Sequence, residues 1–209
     1  IVQNGAMEHP TAVSYPRFLL TGTTANEDIM AHELSHHWWG DQATCPNQEQ
    51  MWINEGMATF SQYYFAECVY GTTAYKNLIR ANHENLIHYV HKKEGGYLSL
   101  NAIPHNITYG EHVYNKGADV AHTMRGYLGD SLFFAGLKYV MANNQFTDMS
   151  NAQFRDDMTA GTGVNMNDFF NGWVFNGGWP HFSIDSIEVM PNPPNYNVTV
   201  HTRQKLDGA

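Results

Sequence analysis

A chain of 209 residues and 23.7 kDa is long enough to bury a sizeable core without disulfide staples. With 43% hydrophobic and only 15% charged residues it reads as a packed globular protein rather than a disordered one. Twenty acids against 11 bases, a net charge of −9, exclude nucleic acid and anionic membranes as partners, because a phosphate surface demands clustered Lys and Arg. Residues 132–142, the longest apolar run, are interrupted by Gly136 and Lys138 and fall short of a membrane span. The expectation is a soluble protein, compatible with secretion or a cell-surface setting. The chain starts at Ile1, which suggests a piece continuous with further domains of a longer parent. Cys45 and Cys68 do not identify a redox compartment. Histidine is the unusual component: 12 residues, more than Lys and Arg together.

In chain order, residues 2–7 read as a short strand before Pro10 and Pro16. Thr24-Ala25-Asn26-Glu27 fits a capping box opening a first helix. Its apolar stripe of Ile29, Met30, Leu34 and Trp38 runs up to Gly40. A loop holding Cys45 and Pro46 leads to a second helix from about Asn54 to Gly71. Thr72 or Thr73 caps a third helix reaching Lys93, whose polar end with Lys92 and Glu94 reads as a solvated face. After a loop over 95–110, helices are expected near 111–128, 131–143, 151–160 and 166–175. Alternation over 181–189 and 196–202 then marks two strands. The fold class is mainly α with a small β component: residues 1–178 as one region, and 179–209 as the beginning of a β-rich domain.

The chemistry concentrates in His32-Glu33-Leu34-Ser35-His36. Residues i and i+4 share a helix face, so both imidazoles reach one metal ion while Glu33 flanks it. A catalytic zinc takes three protein ligands and keeps one position open. The preferred third ligand is Glu55, which opens the second helix with 18 residues between it and His36. Its rivals are weaker: His37 points about 100° away from His36, and Glu49 lies in the loop. Glu33 then acts as general base on the attacking water. Trp38, Trp39 and Trp52 are assigned to packing the metal-bearing helices together. Glu84, His88 and His91 share a helical face, read as solvated rather than metal-binding.

These motifs resemble the aminopeptidase N family of gluzincin zinc peptidases. The resemblance runs through the zinc helix with its His37-Trp38-Trp39-Gly40-Asp41 continuation and through Trp52-Ile53-Asn54-Glu55-Gly56-Met57-Ala58. It includes Gly5-Ala6-Met7-Glu8-His9, similar to the family's exopeptidase strand, and Val113-Tyr114-Asn115-Lys116-Gly117-Ala118. It implies the helical lobe of a thermolysin-like catalytic domain, N-terminally incomplete, holding one Zn2+ per chain. By resemblance Glu8 binds the free α-amine of a peptide substrate, the backbone at Gly5 and Ala6 pairs with the peptide, and Tyr114 donates to the oxyanion. The implied activity is hydrolysis of the N-terminal peptide bond. The alternatives are an endopeptidase of the same fold and a non-catalytic module that inherited it. Two positions depart from the family pattern. His9 replaces an asparagine, placing an imidazole near the amine pocket, and Gln62 stands where relatives often carry an acid that would orient a ligand histidine.

Overall fold

The computed structural model describes residues 5–207, with side chains through 204. Of the strand read over 2–7, residues 2–4 lie outside the described residues; Met7 forms an antiparallel bridge with Ser14 through bonds of 2.9 and 2.8 Å. The first helix, α1 (Glu27–Ser35), is followed by α2 (Glu55–Tyr70) and α3 (Thr72–Asn85). A π-helical turn, Leu86–Val90, joins α3 to the single turn α4 (His91–Lys93). A second π turn, His112–Lys116, runs into α5 (Gly117–Leu128). Then come α6 (Asp130–Asn143), α7 (Asn151–Thr162) and α8 (Asn167–Phe170), the last continued by a third π turn, Asn171–Phe175. The mainly helical expectation therefore holds.

Two local readings are corrected. The capping box does not form: Thr24 offers only its carbonyl to the Glu27 amide at 3.2 Å, and the Glu27 carboxylate instead takes the Tyr70 hydroxyl. The third helix starts from Gly71 rather than from a threonine cap, and that residue also ends α2, its amide bonding Glu67 O at 2.9 Å.

The core is aromatic and thioether-rich. Trp52, Phe60, Phe133, Phe154, Phe170, Met124 and Met158 are fully buried, each such side chain contributing about 1.5–3 kcal/mol of apolar transfer free energy. Trp52 stacks on Phe154 at 5.7 Å, and its indole N–H is satisfied by Asn151 Oδ1 at 2.7 Å, as a buried donor requires. Helix α2 packs against α1, α3 and α5. Its approach to α5 needs glycine on both sides, since a Cβ on Gly56 would lie 2.7 Å from Gly117 Cα.

Two short strands, β1 (Ala43–Thr44) and β2 (Thr147–Asp148), pair in parallel and tie the loop after α1 to the far end of α6. The remaining strands, β3 (Trp179–Asn192) and β4 (Asn195–Asp207), form an antiparallel hairpin with an irregularity between Ile184 and Ser186. They are longer than the alternation suggested, because cross-strand pairing continues through Pro191↔Tyr196 to Asn192↔Asn195.

Helix α1 does not bury the stripe expected of it. Leu34 and Trp38 are 52% and 49% exposed, while His32, Glu33, Ser35 and His36 are buried. The helix turns its functional face inward and leaves Leu34 and Trp38 outside, with Ile29 and Met30 half-buried, so of the three tryptophans only Trp39 and Trp52 pack the interior. No helix among the described residues is long and apolar enough to cross a membrane.

Candidate active site

The i, i+4 spacing brings the two imidazoles together at the end of α1, their Nε2 atoms 3.1 Å apart. The intervening chain is steered by Asn54, whose Oδ1 accepts the Cys45 amide at 2.9 Å and whose Nδ2 donates to Thr44 Oγ1 at 3.1 Å. The first turn of α2 is thereby fixed against α1, a contact reinforced by Ser35, whose hydroxyl faces His32 O at 2.6 Å and Ala58 O at 3.3 Å. Glu55 Oε2 comes to 3.3 Å from His32 Nε2 and 3.2 Å from His36 Nε2. The edges of a tetrahedral zinc site with N and O ligands near 2.0–2.2 Å are about 3.3 Å, so this triangle has the size and donor set that zinc requires. His36 Nδ1–H donates to Trp39 O at 2.9 Å, which aims Nε2 into the cluster. That carbonyl supplies the orienting role for His36, whereas Gln62 turns to Asp28 Oδ2 at 3.2 Å.

The electrostatics tie His36 to Glu55. Burial alone would lower the His36 pKa, but the hydrogen bond and charge of Glu55 push it up to about 9. Burial alone would raise Glu55, and the bonds from His32 and His36 bring it down to about 2. Glu33 behaves differently: burial lifts its carboxyl above the usual range against the pull of His32 and His36, with Glu8 and Glu55 adding to the rise. A carboxylate with raised basicity beside a metal-type donor set suits a general base. Glu8 stands close by, with donor atoms of Glu8, Glu33 and His36 all within 4.8 Å of one another.

Opposite lies Tyr114, its ring stacked near His32 at 6.0 Å. Burial and the Glu55 charge keep its phenol protonated far above the usual tyrosine range, hence a hydrogen-bond donor. These groups line a cleft of about 680 Å³ that also includes Gly5, Ala6, Ile29, Met51, Tyr63 and Tyr109. All eight residues singled out from the sequence thus face one cleft. His37 is turned to Asp41 at 3.9 Å, and Glu49 is outside the donor cluster. Tyr109, 70% exposed at the rim, carried no sequence signal. Among the described residues, Glu84, His88 and His91 do not form a metal-type cluster, and His91 stacks on Tyr97 at 4.6 Å. Glu94 is not solvated as expected; its side chain is 10% exposed and pairs with His112.

The profile of the Peptidase family M1 domain matches residues 2–173. The chain belongs to peptidase family M1. It is 24% identical over 190 residues to probable aminopeptidase 2 of Sulfurisphaera tokodaii, covering 84% of this chain and 24% of that protein. It is 22% identical over 202 residues to aminopeptidase N of Lactococcus lactis, covering 88% and 23%. The chain thus spans about a quarter of these M1 relatives. The M1 zinc metallopeptidase from Deinococcus radiodurans superposes with a TM-score of 0.70 at 22% identity, over 83% of this chain and 37% of that one. Leukotriene A4 hydrolase from Saccharomyces cerevisiae does so at 0.70 and 18%, over 92% and 31%. The fold is that of the helical lobe of M1 peptidases.

Proposed function

We propose that this chain carries the catalytic centre of a zinc aminopeptidase, with His32, His36 and Glu55 holding the metal. The triangle of donor atoms at 3.1, 3.2 and 3.3 Å is the observation that carries the reading. Zinc held there supplies Lewis acidity to the scissile carbonyl and to the attacking water. Glu33 takes a proton from that water on its carboxylate and returns it to the leaving amine nitrogen. Tyr114 donates its phenolic hydrogen to the carbonyl oxygen as charge develops. Glu8 accepts the substrate's α-ammonium, while the backbone at Gly5 and Ala6 runs alongside the peptide. A carboxylate fixed this close to the reacting centre allows only one residue between amine and scissile bond, which separates an exopeptidase from an endopeptidase. In this reading residues 1–178 form the catalytic region and 179–209 begin a β-rich domain of the parent.

The test uses the full chain with unblocked aminoacyl anilides, with and without chelator, and elemental analysis. Zinc near one per chain and chelator-sensitive turnover are expected; a metal-free, inactive preparation would point to a non-catalytic module. Acetylating the substrate amine removes a charge-assisted bond worth about 1.5–3 kcal/mol, so kcat/KM should drop roughly 10- to 150-fold. Equal cleavage of the blocked substrate would make Glu8 incidental and the protein an endopeptidase.

A linkage prediction follows from the His36 and Glu55 pair. With His36 raised to about 9 and Glu55 lowered to about 2, His36 of the chelator-stripped site carries an extra ring proton at pH 7. Zinc must displace that proton, so uptake should release about one proton at pH 7, and apparent affinity should rise about tenfold per pH unit up to the His36 pKa. Zinc calorimetry in two buffers of different ionisation enthalpy measures this, and zero proton release would contradict the pairing.

A further inference from the structure

We propose that Glu94 is the positioning residue that holds Tyr114 in place from outside the cleft, an inference that rests on the function proposed above. Tyr114 sits in the π turn His112–Lys116 rather than in a regular helix. Such a turn widens the backbone by one residue, is rare, and persists where surrounding groups hold it. Its leading end presents amides with no partner in the preceding turn. Here the Glu94 carboxylate meets them: Oε1 accepts the Glu111 amide, and Oε2 accepts the His112 amide at 3.0 Å.

The same carboxylate also fixes a side chain of the turn. His112 Nε2 accepts the Leu98 amide at 3.3 Å, so the ring proton sits on Nδ1 and is donated to Glu94 Oε2 at 2.6 Å. Three donors thus end on one acid whose side chain is 10% exposed, a charge-assisted arrangement stronger than neutral bonds. Gly110 makes room for it. A Cβ there would lie 2.5 Å from Glu94 Oε1 and 3.0 Å from its Cδ, while the Gly110 carbonyl accepts the amides of Val113 at 3.0 Å and Tyr114 at 3.2 Å. The residue whose missing side chain admits Glu94 is therefore the one bonded to the Tyr114 backbone.

The trailing end of the turn is held separately, by Lys116 Nζ on Leu98 O at 2.7 Å and by Asn82 Nδ2 on Asn115 O at 2.8 Å. Glu94 does not line the cleft. Its effect on the reaction passes through the position of the Tyr114 hydroxyl, which matters as the oxyanion develops more than in the ground state.

In the full chain, Glu94→Ala should lower kcat for an unblocked aminoacyl anilide about tenfold with KM and zinc content unchanged. Glu94→Gln, which keeps an acceptor for the two amides and loses the acid opposite His112, should recover part of that loss. Adding Glu94→Ala to Tyr114→Phe should cost nothing further, because both act through one hydroxyl. Equal fold losses from Glu94→Ala in the wild-type and Tyr114→Phe backgrounds would overturn the proposal, as would a raised KM at constant kcat. Amide hydrogen exchange over 110–116 reads the clamp independently of turnover. Faster exchange at 111–114 in Glu94→Gln or Glu94→Ala is expected, and unchanged protection would overturn the clamp. If the wild type cleaves no unblocked substrate, the function reading fails, and the exchange result still decides the clamp.

Discussion

Glu33→Gln in the full chain is expected to cut kcat by about 10²- to 10⁴-fold, the usual contribution of a general acid–base group, while leaving zinc at about one per chain. The amide matches the carboxylate in size, and Glu33 stands outside the triangle of His32, His36 and Glu55, so neither packing nor metal affinity should change much. What disappears is proton affinity. Burial raises the Glu33 carboxyl above the ordinary range, which makes it a better acceptor from water and a usable donor to an amine. An amide can do neither. Turnover at the wild-type level would take Glu33 out of the reaction, and zinc loss in step with activity would make it a ligand instead. Measuring kcat and metal content on one preparation separates these outcomes.

The parts of this site that were legible in the sequence are those fixed by local geometry. The i, i+4 rule places His32 and His36 on one face wherever the helix goes, and the Nε2 atoms meet at 3.1 Å. Glu55 was legible because it starts a helix after a connection long enough to reverse the chain. Long-range pairing carried no such signal. The β1–β2 contact joins Ala43 to Thr147, and two-residue strands leave no alternation to read. Periodicity also misassigned the outward face of α1, since the pattern that makes Leu34 and Trp38 look like core cannot register that histidines and glutamates are the buried side. Most other histidines resolve into partnerships that spacing cannot show, such as His83 with Asp119 at 3.0 Å and Tyr75 with His122 at 2.7 Å. Glu94 was misread for the same reason: its partners arrive from beyond the following loop.

Gly56→Ala is expected to destabilise the protein and slow it together, although helix propensity alone argues the reverse. Alanine is better than glycine inside a helix by about 1 kcal/mol, and Gly56 lies in the first turn of α2. A Cβ there would stand 2.7 Å from Gly117 Cα and 2.8 Å from Val113 O. Those are backbone atoms that cannot rotate away, so the helices must separate, at a cost of about 1–3 kcal/mol for overpacking. Gly126, inside α5 with nothing within 4 Å of its Cβ position, is the matched control. Gly126→Ala should raise Tm slightly while Gly56→Ala lowers it. The kinetic consequence comes from what flanks the contact. Gly56 follows Glu55, and Gly117 follows the turn that carries Tyr114, so widening this crossing shifts a zinc-type donor relative to the phenol across the cleft. A displacement approaching 1 Å can cost about 10²-fold in rate, and kcat should fall well beyond what the lost stability explains at a temperature where the variant remains folded. If Gly56→Ala instead matches Gly126→Ala in Tm and leaves kcat unchanged, the spacing of Glu55 and Tyr114 is not set by this contact.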